Sequence, residues 1–262
     1  LQTKTQKMLI ILSPSKTMIA PDAVHHQKFT LPEYLEFSKQ LAGVLKKKSP
    51  AQLSKLMKIN PELAQLNFER FQQWELPFHE KNATPAIFSY TGEVFRGLDA
   101  TSLSEKDISF AQDHLRILSG FYGVLRPLDL ILPYRLEIGQ AGISAGKAKN
   151  LYEFWRPLIT KALNNILKAR EDDTLINLAS QEYFKSIDKK SLLARVVTPV
   201  FKEYKNGKAV IVTMYAKKAR GLMSRFIIQN RLKDPEELKL FDAEGYYYTP
   251  DLSNDREMTF TR

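Results

Sequence analysis

Six polar residues sit where short apolar runs give way to turns. Lys16 follows Met8–Leu12, Arg135 and Glu137 lie within Pro133–Gly139, and Glu182, Tyr183 and Lys185 follow Thr174–Leu178. Unalternated runs of that length read as buried strands, and the turns beyond strand ends are where binding and catalytic side chains gather in α/β proteins. Their residue types point to proton transfer, with Lys and Glu as acid and base. That chemistry needs a pKa moved by burial or by a charged partner. On this ground Lys16, Glu137, Glu182 and Tyr183 are the candidate catalytic residues. Arg135 and Glu137 are two apart, so an extended segment puts them on one face. Each of these residues is equally a solvated loop side chain unless the fold brings them to one pocket. The turn Ser13-Pro14-Ser15-Lys16-Thr17 lacks the glycines with which a P-loop wraps phosphate. His114, near Asp113 and Arg116, reads as structural, and His25 and His26 have no nearby acid or Cys to complete a ligand set. No metal site and no cofactor are expected.

A second chemistry, contact with phosphate, is written in Met214–Leu232. Tyr215, Ala219, Leu222, Met223, Phe226 and Ile227 recur at helical spacing. At about 100° per residue, Lys217, Lys218, Arg220, Ser224 and Arg225 fall on the other side, with Gly221 among them. No acidic residue lies between Lys205 and Lys233, whereas a merely solvated helix face usually alternates Lys or Arg with Glu. Gly221 costs roughly 1 kcal/mol against Ala in a helix interior, which predicts a close backbone approach, with a phosphate backbone as the candidate partner. The competing reading is a basic face whose acids come from elsewhere in the fold.

His114–Asp129 carries a related pattern: an apolar helix, a Gly-Phe-Tyr-Gly turn and a further apolar run. It resembles the helix-hairpin-helix of DNA-repair proteins, in which glycines bring backbone N–H groups against phosphate oxygens and read no sequence. The spacing differs from the usual Gly-x-Gly. Tyr122 at the tip is placed to stack on an unpaired base. The candidate DNA contacts are therefore Arg116, Gly120, Tyr122, Gly123, Arg126, Lys217, Lys218, Arg220, Gly221 and Arg225.

The elements that must position these groups alternate between strand and helix. Strands are expected at Met8–Leu12, Ala86–Tyr90, Thr174–Leu178, Val196–Phe201 and Ala209–Tyr215, and a final pair at Tyr246–Thr249 and Met258–Thr261. Helices are expected over Pro32–Lys47, Ala51–Ile59, Asn60–Phe71, Ser104–Leu118, Leu151–Leu167 and the basic segment. Asn206-Gly207 marks a hairpin. The two glycines of Thr91–Leu98 mark a turn-rich stretch, with Tyr90 and Arg96 as site edges. No repeat or linker divides the chain, so one mixed α/β domain is expected over residues 8–262, with a central mixed sheet surrounded by helices. Residues 1–7 are expected to be a disordered tail.

Lys and Arg number 39 against 29 Asp and Glu, a net charge of +10, which favours an anionic partner. The absence of cysteine excludes a disulfide framework, a Cys-based zinc site, an iron–sulfur cluster and a thiol mechanism. No apolar run reaches the roughly 20 residues that span a bilayer, no secretory leader is legible, and the expected location is the cytoplasm, with no membrane partner.

Several strings in order, SPSKT after the first strand, HLRILSGFYGVLRPLDLILPYRLEIG, NLASQEYF and MYAKKARGLMSRFI, resemble the YaaA family of bacterial peroxide-stress proteins. The likeness runs from about Met8 to the C-terminus. It implies a cytoplasmic bacterial protein of hydrogen peroxide defence with a single α/β fold, a positively charged cleft and a helix-hairpin-helix element, which maps here to Leu115–Leu128. It also implies DNA binding, double-stranded or structured, without strong sequence preference. The family supplies no catalytic residue to carry over. No base-reading module is present. The expected function is thus phosphate-mediated DNA binding in the oxidative stress response. The alternative is an enzyme acting on a nucleotide, nucleobase or nucleic acid in a pocket of strand-end residues.

Overall fold

Met8–Leu12 (β1) has every residue at or below 1% exposure, as an all-aliphatic strand must when both faces of its sheet are covered. The computed structural model describes residues 8–19 and 28–262; the tail expected at residues 1–7 and the pair His25 and His26 lie outside them. Three helices follow: Leu35–Lys46 (α1), Pro50–Met57 (α2) and Pro61–Gln73 (α3). Ser49 and Asn60 cap the second and third, and each has Pro at the first turn, where its missing N–H costs nothing. Next come the short strand Thr84–Pro85 (β2) and the helices Ala86–Ser89 (α4), Glu93–Leu98 (α5) and Glu105–His114 (α6). Strands Leu115–Ser119 (β3), Gly123–Leu125 (β4) and Leu130–Ile131 (β5) precede the long helix Leu151–Arg170 (α7). The chain then runs through Thr174–Leu178 (β6), Gln181–Phe184 (α8), Arg195–Lys205 (β7), Lys208–Val210 (β8) and Thr213–Asn230 (α9), and ends with Tyr247–Tyr248 (β9) and Glu257–Thr261 (β10).

The main sheet has the order β4-β3-β1-β6-β7-β10-β9, with β8 hairpinned onto β7. Strands β3, β1, β6, β7 and β10 run parallel, and β4 and β9 close the two ends antiparallel. β2 and β5 form a separate two-stranded ladder. From β1 the chain builds outward to β3 and β4 on one side, then crosses to β6 on the other. The loops leaving β1 and β6 therefore diverge. Such a switch point opens a crevice at the carboxyl ends of the strands.

The mixed α/β architecture agrees with the sequence reading; several local assignments do not. Helix α6 stops at His114, although the helical spacing of Ile108, Ala111, Leu115 and Leu118 runs on. Residues 115–119 are all buried, and only a strand places five consecutive side chains inside on both faces. The expected helix-hairpin-helix is instead the β3–β4 hairpin, turning at Gly120-Phe121-Tyr122 with Gly123 in the left-handed region at φ 76°. Ala86–Tyr90 is not a strand but contains α4, and the turn-rich stretch after it contains α5. The segment expected as strand over Ala209–Tyr215 pairs only to Val210 before α9 begins, leaving Met214 and Tyr215 exposed. The Asn206-Gly207 turn is as expected, both residues having positive φ.

Gly221 does serve a close approach, but its partner is protein. Helices α5 and α9 cross with their backbones in contact: a Cβ on Gly221 would overlap the Val94 carbonyl, and one on Gly97 would overlap the Lys218 carbonyl. We expect Gly221→Ala and Gly97→Ala each to lower the urea unfolding free energy by about 1–3 kcal/mol or more through forced separation of the helices. Gly43, in α1 with open space around it, is the control: Gly43→Ala should be neutral or stabilising by about 1 kcal/mol.

Candidate functional site

The crevice at the switch point is a cavity of about 310 Å³. Its floor is made by the first turns after β1 and β6. The Ser180 N–H donates to Ser13 Oγ at 2.8 Å, and the Ser13 hydroxyl donates to Ser180 Oγ at 3.2 Å. This ties the two diverging loops together. Ser180 also caps α8, accepting from the Tyr183 N–H, so Glu182 and Tyr183 are delivered to the cavity by the first turn of that helix.

Lys16, Glu137, Glu182 and Tyr183, separated by up to 167 positions between Lys16 and Tyr183, all line this one space. Lys16 Nζ lies 2.5 Å from Glu137 Oε1; the contact is an ion pair rather than a directed hydrogen bond. The pair is asymmetric, since the Lys16 side chain is 60% exposed and that of Glu137 only 17%. Arg135 stands beside it, 3.9 Å from the same oxygen. Glu182 accepts from the Gly139 N–H at 3.2 Å, and its carbonyl accepts from the Tyr152 hydroxyl. Tyr183 is buried and takes a backbone hydrogen bond from Ile138. Burial, then the neighbouring Tyr134, Glu182 and Glu137, push its pKa well above the ordinary phenol value. It is therefore a protonated hydrogen-bond donor at neutral pH and not a base. Lys185 lies outside the cavity, its carbonyl accepting from Arg156. Of the expected site edges, Tyr90 is buried beneath, its hydroxyl 2.9 Å from that of Tyr134, and Arg96 pairs with Glu93 on the rim.

The residues assigned from sequence to DNA are divided by the fold. Arg116, Gly120, Tyr122 and Gly123 are buried, which removes them from any surface contact. Arg116 donates to the carbonyls of Gln112 and Leu115, and burial lowers its pKa to about 10. Gly120 abuts the Leu136 carbonyl and Gly123 the ring of Trp155. The Tyr122 hydroxyl accepts from Trp74 Nε1 and the Leu132 N–H. Arg126 is half-buried and holds Asp129 and the Leu31 carbonyl. On α9, Lys218 pairs with Glu244. Arg225 donates to the Leu98 and Asp99 carbonyls, capping the C-terminus of α5. Two α9 residues, Lys217 and Arg220, line the switch-point cavity instead. His114 stacks on Phe110 and bonds its carbonyl, and it does not line the cavity.

A broader trough of about 850 Å³ adjoins the cavity. It shares Lys16, Arg135, Glu137 and Glu182 with it and extends under Lys48, Lys55 and Lys58 around α2. None of these three lysines has an ion-pair partner among the described residues. Sequence reasoning missed them, because α2 reads only as a short capped helix, and missed Glu93 and Gly92, which the α5–α9 crossing brings to the rim. Among the described residues, no three His, Asp or Glu side chains gather to hold a metal ion, and no helix is long and apolar enough to cross a membrane.

A family model described as "Peroxide stress protein YaaA" matches residues 8–252. The chain is 49% identical over 255 residues to a UPF0246 protein of Aliivibrio fischeri, covering 97% of this chain and 98% of the relative. It is 50% identical over 255 residues to a UPF0246 protein of Hahella chejuensis, covering 97% and 99%.

At the cavity wall (Tyr134 and Tyr183) and beneath it (Tyr90 and Tyr122), four tyrosines have pKa values raised chiefly by burial, Tyr134 to about 12. In the unfolded chain these phenols ionise near pH 10. Their contribution to stability is therefore intact below about pH 10 and is lost as pH rises towards 12. The urea midpoint should fall steeply over that interval, and Tyr134→Phe should make the fall shallower. A flat midpoint would contradict the burial of these phenols.

Proposed function

The chain belongs to the peroxide stress protein YaaA family, and on that premise we propose that it contacts DNA through the lysine-lined trough, without reading sequence, and presents it to the switch-point pocket. The observation that supports this most is the continuity of the two spaces, which share Lys16, Arg135, Glu137 and Glu182. A strand lying under Lys48, Lys55 and Lys58 reaches the pocket without leaving the cationic surface. The net charge of +10 supplies the long-range attraction.

The pocket favours a second reading in which the bound nucleotide or nucleic acid is also a substrate. Lys16 and Glu137 form a close ion pair, and Glu182 lines the same cavity. An ammonium and a carboxylate so placed are the groups that general acid–base catalysis requires within reach of one reacting centre. The binding role and the enzymatic role occupy the same surface, and α9 contributes to it through Lys217 and Arg220 rather than through a continuous basic face.

The test is equilibrium binding of a labelled duplex of arbitrary sequence between about 50 and about 200 mM salt. The wild type should weaken steeply with salt. A Lys48→Ala, Lys55→Ala, Lys58→Ala variant should lower the log–log slope by about 2 to 3. Lys218→Ala and Arg225→Ala should leave the slope unchanged, because both side chains are engaged within the fold. A slope insensitive to the three lysines would remove the trough as the track.

A further inference from the structure

The switch-point pocket contains two guanidinium groups, Arg135 and Arg220, that make no hydrogen bond among the described residues. Arg220 is half-buried, and its side chain makes no hydrogen bond or ion pair among the described residues. Burial lowers its pKa with no carboxylate acting against it. Arg135 Nε is buried without a partner. The nearest carboxylate to Arg135, Glu137, is 3.9 Å away and is already held by Lys16 at 2.5 Å. Arginine does not shed its proton to escape such a position, and a desolvated charge without a partner is costly. An oxyanion in the pocket relieves that cost, and two planar forks suit the several oxygens of a phosphate.

The charges also specify how much anion is missing. Lys16 cancels Glu137, and Arg96 cancels Glu93. Arg135, Lys217 and Arg220 then face Glu182 alone across the cavity, a surplus of two positive charges. An internal phosphodiester carries one negative charge. A phosphomonoester carries up to two at neutral pH, its second pKa being about 6. Pro14, Val94 and Leu136 complete the wall with apolar surface, and a cavity of about 310 Å³ is at the small end of the range for ligand sites.

We propose that this pocket is a phosphomonoester site, in which Arg135 and Arg220 hold the terminal phosphate of a nucleotide while the attached nucleoside rests on the apolar wall. The inference rests on the same pocket as the proposed function but not on the trough. The phosphomonoester comes either from a free mononucleotide or from the 5′-phosphate end of a DNA strand.

The experiment compares thymidine 5′-monophosphate with thymidine by calorimetry, and a 5′-phosphorylated duplex with its 5′-hydroxyl counterpart by fluorescence anisotropy. In at least one comparison the phosphorylated ligand should bind about tenfold or more tightly. The comparison that shows it identifies the source. Arg220→Gln and Arg135→Gln should each abolish the preference without lowering the urea midpoint, because among the described residues neither guanidinium makes a hydrogen bond and the 3.9 Å approach of Arg135 to Glu137 is the only ion-pair contact between them and the protein. The preference should also weaken below about pH 6, where the monoester becomes a monoanion. Equal affinity within both pairs overturns the proposal, and so does a preference that survives both arginine variants. If duplexes bind but neither pair shows a preference, the phosphomonoester site fails while the trough stands. If thymidine 5′-monophosphate is preferred but no duplex binds, the site stands and the trough fails.

Discussion

The contact between α5 and α9 at Gly97 and Gly221 is the constraint on which the site depends. With no Cβ on either side, the two backbones meet directly, each glycine facing a carbonyl of the other helix. That approach sets Glu93 and Val94 on one wall of the pocket and Lys217 and Arg220 on another. Arg225 secures the crossing one turn further on by capping the α5 carbonyls. A larger residue at either glycine would move a whole wall, since each helix carries its side chains as a rigid unit.

The positive charge of the chain is unevenly committed. Lys218 is held by Glu244, Arg225 by Asp99, and Arg231 by Asp107 at 3.1 Å, all acids supplied from outside the stretch that lacks them. Of the cations without an ion-pair partner among the described residues, Lys217 and Arg220 line the pocket and Lys48, Lys55 and Lys58 line the trough around α2. The parallel sheet makes this possible: its switch point holds the two loops apart, and the Ser13–Ser180 contact fixes how far. Exposed ion pairs contribute little to stability, so the arrangement matters for where anionic ligands are attracted rather than for holding the fold.

The strand-end reasoning located the pocket because parallel strands deliver the residues after them to one edge, whatever their separation in the chain. Lys16 and Glu182 were legible on that basis, whereas Glu137 lies beyond β5, outside the parallel sheet, and reaches the pocket from an extended segment. The surface assignments around Gly120 were not, because a buried apolar run satisfies helical spacing and strand burial alike, and only the pairing of Ile10 with Leu115 decides between them. Gly221 signalled a close approach without saying to what. Its partner, Gly97, lies 124 positions earlier in a stretch that reads as a turn, and no local pattern connects the two. Arg220 reads from the sequence as a cation of interest, but its neighbours in the pocket come from four other segments of the chain.

The burial pattern also bears on how the molecule tolerates the stress for which its family is named. Sulfur is the side-chain element most readily oxidised by peroxide. This chain has no thiol and six methionines. Met8, Met57, Met223 and Met258 are within the core, and the Met18 sulfur lies against the Tyr134 N–H at 3.5 Å. Met214, at the start of α9, is the one large exposed thioether at 55%. Met214 is thus the thioether most open to an oxidant, and it does not itself line the pocket.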